Sequence, residues 1–157
     1  AASDERVIVL ADSTVDPRPG VVPPSMINGR SDPLPIELEA GRAHRLRFIA
    51  ISAVTLRSVR LLAGDRTVTW TPVAKDGAEF AIEDRAPTPA DVNLAAGETF
   101  DVLYTPTAGD ALVLEVSVRG TPVVTRVPVR VRAAAGVGRR DEEEVVITTT
   151  PFAPSIP

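Results

Sequence analysis

The sequence predicts an all-β protein, an antiparallel Greek-key β-sandwich, on three observations. Apolar and polar residues alternate with a period of two along about nine short runs, the pattern of strands with one buried face. The 15 prolines and 10 glycines are spread along the 157 residues, which favours many short strands joined by turns. No run carries a convincing helical period, and 44% hydrophobic against 24% charged residues describes a chain able to bury a real core.

Taken in order, Arg6 to Ala11 is a first strand rich in β-branched residues. From Asp12 to Ser25 the chain is polar, and Pro17, Pro19, Pro23 and Pro24 exclude a regular element. Ile27-Asn28-Gly29-Arg30 carries an Asn-Gly turn signal, and Ile36 and Leu38 then alternate with Glu37 and Glu39. The strand from Gly41 to Ile51 puts Leu46, Phe48 and Ala50 on one face. Arg45 and Arg47 lie on the other, with Ile49 and Ile51 on the arginine side. In the next strand, Leu56 to Leu62, Arg57 and Arg60 fall on opposite parities.

Gly64-Asp65 is a turn, after which Val68 and Trp70 alternate with Thr67, Thr69 and Thr71. Lys75-Asp76-Gly77 is another turn, Phe80 to Pro89 is mostly irregular, and Asp91 to Ala95 is a short strand. Phe100, Val102 and Tyr104 oppose Asp101, and Leu112, Leu114, Val116 and Val118 oppose Glu115 and Arg119. The last strand, Val123 to Val131, carries Arg126, Arg130 and Arg132 on its alternate face. Beyond Arg132 come small residues, the charge run Arg139-Arg140-Asp141-Glu142-Glu143-Glu144, and a proline-rich end in which Val145-Val146-Ile147 could form one extra strand. The expected organisation is therefore a sandwich domain over residues 1–132 and a flexible tail or linker over 133–157.

Four of these strings, in this order, resemble the second, non-copper-binding cupredoxin-like domain of multicopper oxidases. They are the Asn28-Gly29 turn, the run Gly41-Arg42-Ala43-His44-Arg45-Leu46-Arg47-Phe48-Ile49-Ala50, the Asp76-Gly77 turn, and Leu94-Ala95-Ala96-Gly97-Glu98-Thr99-Phe100-Asp101-Val102-Leu103. The likeness covers about residues 5 to 120. The chain departs from the family pattern at Ala50, where Asn is usual, at Ala96 and Thr99, which replace Pro and Arg, and near Asp12, where a Trp is usual. The resemblance implies a cupredoxin-like sandwich that packs against copper-bearing domains outside this chain. It also implies copper in the parent protein and a periplasmic or extracellular setting. The alternative is an immunoglobulin-like or fibronectin-like interaction module of a secreted protein, since a sandwich alone fixes no function.

Within the chain itself the chemistry is sparse. With one histidine, His44, one methionine, Met26, and no cysteine, neither a trinuclear nor a blue copper centre can be assembled, because these need several imidazoles or a thiolate. His44 is expected as a surface or edge side chain. No Gly-x-Ser-x-Gly elbow, phosphate loop, EF-hand loop or zinc spacing occurs, which leaves a metal-independent hydrolase without a motif. Carboxylate pairs among Glu37, Glu39, Glu83 and Asp84, and the run Asp141 to Glu144, are expected to be solvated.

No catalytic, cofactor-binding or metal residues are therefore expected within the chain. A net charge of −4 and only four Phe, one Trp and one Tyr argue against nucleic acid, and no apolar run reaches membrane-spanning length. The opening Ala1-Ala2-Ser3-Asp4 has no signal-peptide pattern and is compatible with a mature protein or an excised domain. The expected interface is the face of Arg45, Arg47, Ile49 and Ile51. Isoleucines sharing a parity with charges suit a docking patch with an apolar centre and a basic rim. The competing expectation is that a bulge or twist returns them to the core, or that the tail covers them. The arginines of the last strand are the second basic face.

Overall fold

A computed structural model describes residues 4–13, 21–52 and 55–134. The part of the Asp12–Ser25 connection over 14–20, the expected tail from residue 135 onward, and its possible extra strand lie outside the described residues.

Among the described residues thirteen strands form two stacked sheets. Sheet A contains β1 (Asp4–Asp12), β2 (Ser25–Ile27), β4 (His44–Ile51), β7 (Thr69–Lys75), β8 (Ala78–Glu79) and β11 (Thr99–Tyr104), in the order β2-β1-β4-β11-β7-β8. The two-residue β9 (Thr88–Pro89) pairs with β7. Sheet B contains β3 (Ile36–Glu39), β5 (Arg57–Ala63), β10 (Asp91–Leu94), β12 (Leu112–Val118) and β13 (Val124–Arg132), in the order β10-β5-β12-β13-β3. The short β6 (Arg66–Thr67) pairs with β5. Most neighbours are antiparallel, as the sequence pattern suggests, but β1 runs parallel to β4 and β3 parallel to β13. The segment from Phe80 to Pro89 holds the end of a hairpin, one 3-10 turn over Ile82–Asp84, and β9.

The period-two files meet in the middle. Ile8 and Leu10 of β1, Leu46 and Phe48 of β4, Val102 of β11 and Trp70 of β7 face Val59, Leu61, Leu114, Val116 and Val127 of sheet B, all buried. Phe48 and Trp70 pack with ring centroids 5.6 Å apart at 46°. Such tilted pairs add about 0.5–1.5 kcal/mol to the burial of the rings. The hairpin turns follow their residues: Asn28 and Gly29 have φ of 51° and 76°, and Asp76 and Gly77 have 50° and 80°. Two consecutive left-handed residues match the right-handed twist of the flanking strands, and Asn-Gly and Asp-Gly tolerate them best.

The core files end in polar residues. Arg57, at the start of the inward file of β5, is wholly buried. It donates from Nε to Ser25 Oγ at 3.0 Å and from Nη2 to Asp12 Oδ1. Asp12 also accepts from Ser52 Oγ at 2.8 Å and Thr55 Oγ1 at 2.9 Å. Burial pushes the Asp12 carboxyl up, but the hydrogen bonds from Ser52, Thr55 and Arg57 outweigh it and leave the group below its ordinary 3.8. His44, expected at the surface or an edge, is instead fully buried. It shares its parity with Leu46, Phe48 and Ala50, and parity alone puts it on the core side. Its Nε2 lies 2.8 Å from the Glu39 N–H and 3.1 Å from the Glu39 carbonyl. Accepting the first leaves the ring proton on Nδ1, which is buried without a hydrogen-bond partner.

Removing Asp12 should leave the Arg57 charge buried and uncompensated. Urea denaturation of Asp12→Ala should show a loss of about 3–5 kcal/mol, and Arg57→Met in that background should restore part of it. Because the folded carboxyl lies below 3.8, its stabilising effect is present above that pH and fades as pH falls. Equal losses in single and double variants would refute the pairing.

Tyr104, the single tyrosine, is pushed up from 10.0 to about 12, first by burial and then by the charge of Asp110. Its contribution is complete below pH 10 and is lost as pH rises toward about 12. A spectrophotometric titration of the phenolate band should therefore show ionisation well above that of free tyrosine, coinciding with alkaline unfolding.

Candidate functional site

The outer face of sheet A is where the sequence predicts an interface, and it is built from regular strands. β4 carries no bulge, so Arg45, Arg47, Ile49 and Ile51 stay in one outward file. The parallel register sets Val7 of β1 beside Arg47, Val9 beside Ile49 and Ala11 beside Ile51. Antiparallel β11 sets Asp101 beside Arg47 and Leu103 beside Arg45. On β7 the register shifts between Asp101 and Val102, placing Ala74 against Asp101 and Pro72 against Val102. Val73 is the extra residue there, giving the two-against-one count of a β-bulge next to the arginines.

The arginines do not point freely into solvent. Asp101, only 4% exposed, lies between them. It accepts from Arg45 Nε at 2.8 Å and from Arg47 Nη2 at 2.9 Å, both at Oδ2. Arg45 Nη2 lies 2.7 Å from both Asp101 Oδ2 and Glu79 Oε1, and Arg47 Nη1 lies 2.7 Å from Glu5 Oε1. Glu79 also binds Arg85 at 2.8 Å. The hydrogen bond to Glu79 is the leading cause that raises the Arg45 guanidinium, and the same bond holds the Glu79 carboxyl below its usual range. This network floors an open depression of about 570 Å³, rimmed by the Asp76-Gly77 and Gly97 turns. Three arginines, Arg45, Arg47 and Arg85, facing three carboxylates leave no net positive charge, so the expected basic rim is electrically closed.

Beside this network the face is apolar. Ile51 is 59% exposed and Val7 45%, with Val9, Met26 and Ile49 half-buried around them. The alternatives in which a bulge or twist returns the isoleucines to the core do not apply to Ile51. Sequence reasoning missed Asp101, Glu5 and Glu79 as partners of the arginines, and Val7 as the neighbour of the isoleucines. The available signal was Asp101 itself, a lone acid at an outward position between Phe100 and Val102.

The other sequence candidates separate. Glu37 pairs with Arg130 and Arg132, Glu39 with Arg42, and Glu83 and Asp84 sit exposed in the 3-10 turn. Among the described residues no group of three or more His, Cys, Asp or Glu is arranged to hold a metal ion. His44, with Nε2 at Glu39 and Nδ1 enclosed, does not fit a copper ligand. No helix among the described residues is long and apolar enough to cross a membrane.

Two mixed sheets with this strand order define a cupredoxin-like β-sandwich. Set against solved structures, it is the fold of multicopper oxidase domains. The McoA multicopper oxidase of the hyperthermophile Aquifex aeolicus superposes with a TM-score of 0.69 at 14% identity, over 85% of this chain and 32% of that one. The laccase-like multicopper oxidase CueO of Ochrobactrum sp. gives 0.64 at 21% identity, over 83% and 31%. The blue copper oxidase of Nitrosomonas europaea gives 0.62 at 16% identity, over 82% and 44%. The chain thus spans between 31% and 44% of the length of these oxidases. No family model and no curated protein sequence matches it.

The electrostatic and apolar halves of the face should respond differently to substitution. Asp101→Asn leaves two neighbouring guanidiniums without their shared anion and should cost about 2–3 kcal/mol in urea denaturation. Ile51→Ser, at a largely exposed position, should cost less than about 1 kcal/mol. A large loss at Ile51 would remove it from the candidate interface and assign it to the fold.

Proposed function

We propose that this domain is a non-catalytic, structural member of a multicopper oxidase-like protein, in the position of the second, copper-free domain, packing against copper-bearing cupredoxin domains. The observation that carries this reading is the outer face of sheet A. It sets an exposed apolar file, Val7 and Ile51 with Val9, Met26 and Ile49, beside a charge network that satisfies itself. Such a face costs little to desolvate at its apolar centre and asks its partner for no counter-charge. The expected neighbour at this face is therefore apolar in character and need not be acidic.

The absence of copper chemistry in the chain rests on its donor set. One histidine committed to a backbone group and no cysteine leave nothing from which to assemble a coordination shell. Multicopper oxidase chemistry, where it occurs, belongs to the neighbouring domains, and the setting implied is periplasmic or extracellular. The immunoglobulin-like alternative has no comparable support, because the structural likeness runs to multicopper oxidase domains.

A photocrosslinking residue at position 51, introduced into the natural protein in the cells that make it, tests the reading. The expected crosslink joins a polypeptide segment, in the same or another chain, that belongs to a domain bearing His-x-His or His-Cys-His copper motifs. A partner without such motifs, or no crosslink, would overturn the assignment. In parallel, calorimetric titration of the isolated chain with Cu(II) should give no stoichiometric tight site and no intense blue band. Either one would mean that the chain carries copper itself.

A further inference from the structure

The two edges of sheet A carry surfaces of opposite shape. At one edge, past β8 in the strand order, the 3-10 turn lifts Ile82 into solvent. At 82% it is the most exposed large hydrophobic side chain among the described residues. Glu83 and Asp84 follow it in the same turn, both exposed and neither in an ion pair among the described residues. Arg85, the next residue, is engaged elsewhere: it donates from Nε to the Phe80 carbonyl at 2.9 Å and pairs with Glu79. An apolar knob beside two free carboxylates is thus left without a partner in its own fold.

At the other edge, where β1 and β2 come beside β3 of sheet B, lies a groove of about 390 Å³. It is lined by the buried Ile8 and Ile27 and the half-buried Pro33, Pro35 and Ile36, with Leu34 at its mouth 66% exposed. Arg6 and Arg30 border it. Arg6 donates to the Glu37 and Glu5 carbonyls and lies 3.4 Å from Asp4. Arg30 donates from Nε to the Asp32 carbonyl at 3.0 Å and forms no ion pair among the described residues. Of the acids nearby, Asp4 is shared with Arg42, Glu37 is held by Arg130 and Arg132, and Asp32 does not line the groove. We propose that Ile82 of one molecule inserts into this groove on a second copy of the chain, with Glu83 and Asp84 meeting Arg30. Knob and groove stand about 24 Å apart, five inter-strand spacings of about 4.8 Å, so neither serves the other within one molecule. The two surfaces differ, so the contact is heterologous and runs head to tail, each molecule offering its knob to the next. Its centre is an aliphatic side chain leaving water for an apolar groove, and its rim pairs free carboxylates with a free guanidinium. Ile51 and the outer face of sheet A take no part, so the inference does not rest on the multicopper oxidase reading.

Such a contact is small, and sedimentation velocity of the full chain should show it as weak self-association between about 10 µM and about 1 mM. Ile82→Asp removes the knob and keeps the groove, whereas Leu34→Asp spoils the groove and keeps the knob. Each variant alone should associate about tenfold or more weakly than the unaltered chain. Mixed in equal amounts, they should form a heterodimer about as tight as the unaltered contact, because the groove of one takes Ile82 of the other. The mixture should stop at the dimer, and the unaltered chain should go on to larger assemblies. Raising the ionic strength from about 0.05 M to about 0.5 M should weaken the association a few-fold, as should Glu83→Gln with Asp84→Asn. Both substituted residues are exposed, so the thermal melts of the variants should match that of the unaltered chain. Ile82→Ser and Leu34→Ser replace either aspartate variant should it fail to fold. A chain that is monomeric throughout this range, a variant that associates as tightly as the unaltered chain, or a mixture that stays monomeric would overturn the proposal.

Discussion

Two sheets stacked across an apolar core gain most of their stability from burial, but burial has no direction and does not by itself fix where one sheet sits on the other. In this domain that task falls to polar side chains at the ends of the inward files. The file of β1 runs Arg6, Ile8, Leu10, Asp12; that of β4 runs His44, Leu46, Phe48, Ala50; that of β5 runs Arg57, Val59, Leu61, Ala63. Each has an apolar middle and at least one polar end, and each polar end reaches across to the opposite sheet. Arg6 donates to the Glu37 carbonyl of β3 at 3.0 Å, and His44 meets the N–H and carbonyl of Glu39 on the same strand. Arg57 of sheet B reaches Asp12 and Ser25 of sheet A, and Thr125 Oγ1 donates to the Ser25 carbonyl at 3.1 Å. Because these bonds are directional, they select one alignment of the sheets where the core alone would tolerate several.

The same contacts deal with exposed strand edges. β3 has β13 on one side only, so alternate backbone groups on its other side face outward. Arg6 and His44 occupy Glu37 and Glu39 there. On β1, upstream of the short pairing with β2, Asn28 Oδ1 accepts from the Val9 N–H at 2.7 Å and Asn28 Nδ2 donates to the Val7 carbonyl at 3.3 Å. An edge whose donors and acceptors are already engaged is a poor template for another strand. The outer faces of the two sheets are exposed as well. Those faces differ in their side chains: sheet A sets an apolar file beside its charge network, whereas on sheet B Arg126, Arg130 and Arg132 stand widely exposed beside Glu115 and Glu37.

Much of this was readable from parity and turn chemistry. Leu46, Phe48 and Ala50 fall inward and Arg45, Arg47, Ile49 and Ile51 outward as alternation requires. The opposite parities of Arg57 and Arg60 already say that one of them must enter the core, and it is Arg57. The Asn-Gly and Asp-Gly pairs adopt the left-handed backbone that makes them turn signals. Parity is blind to strand direction, however, so the parallel pairings of β1 with β4 and β3 with β13 left no trace. It is equally blind to partners far apart in sequence: Arg45 and Asp101 stand 56 positions apart. His44 is a different case. Polarity points it to the surface and parity points it inward, and an imidazole can stay buried when a backbone group satisfies one nitrogen.

That burial bears on what the fold can do here. A copper centre requires imidazole nitrogens that converge on a common point with their lone pairs free. The sole imidazole of this chain instead turns its Nε2 to Glu39, on the strand that closes the side of the sandwich, and encloses its Nδ1. Freeing it for a metal would leave β3 with the Arg6–Glu37 bond but without the His44 contact to the sheet opposite. The residue that could have begun a metal site is thus committed to the alignment of the two sheets. The arginines follow another rule: what each can offer a partner is set by how many carboxylates already share it.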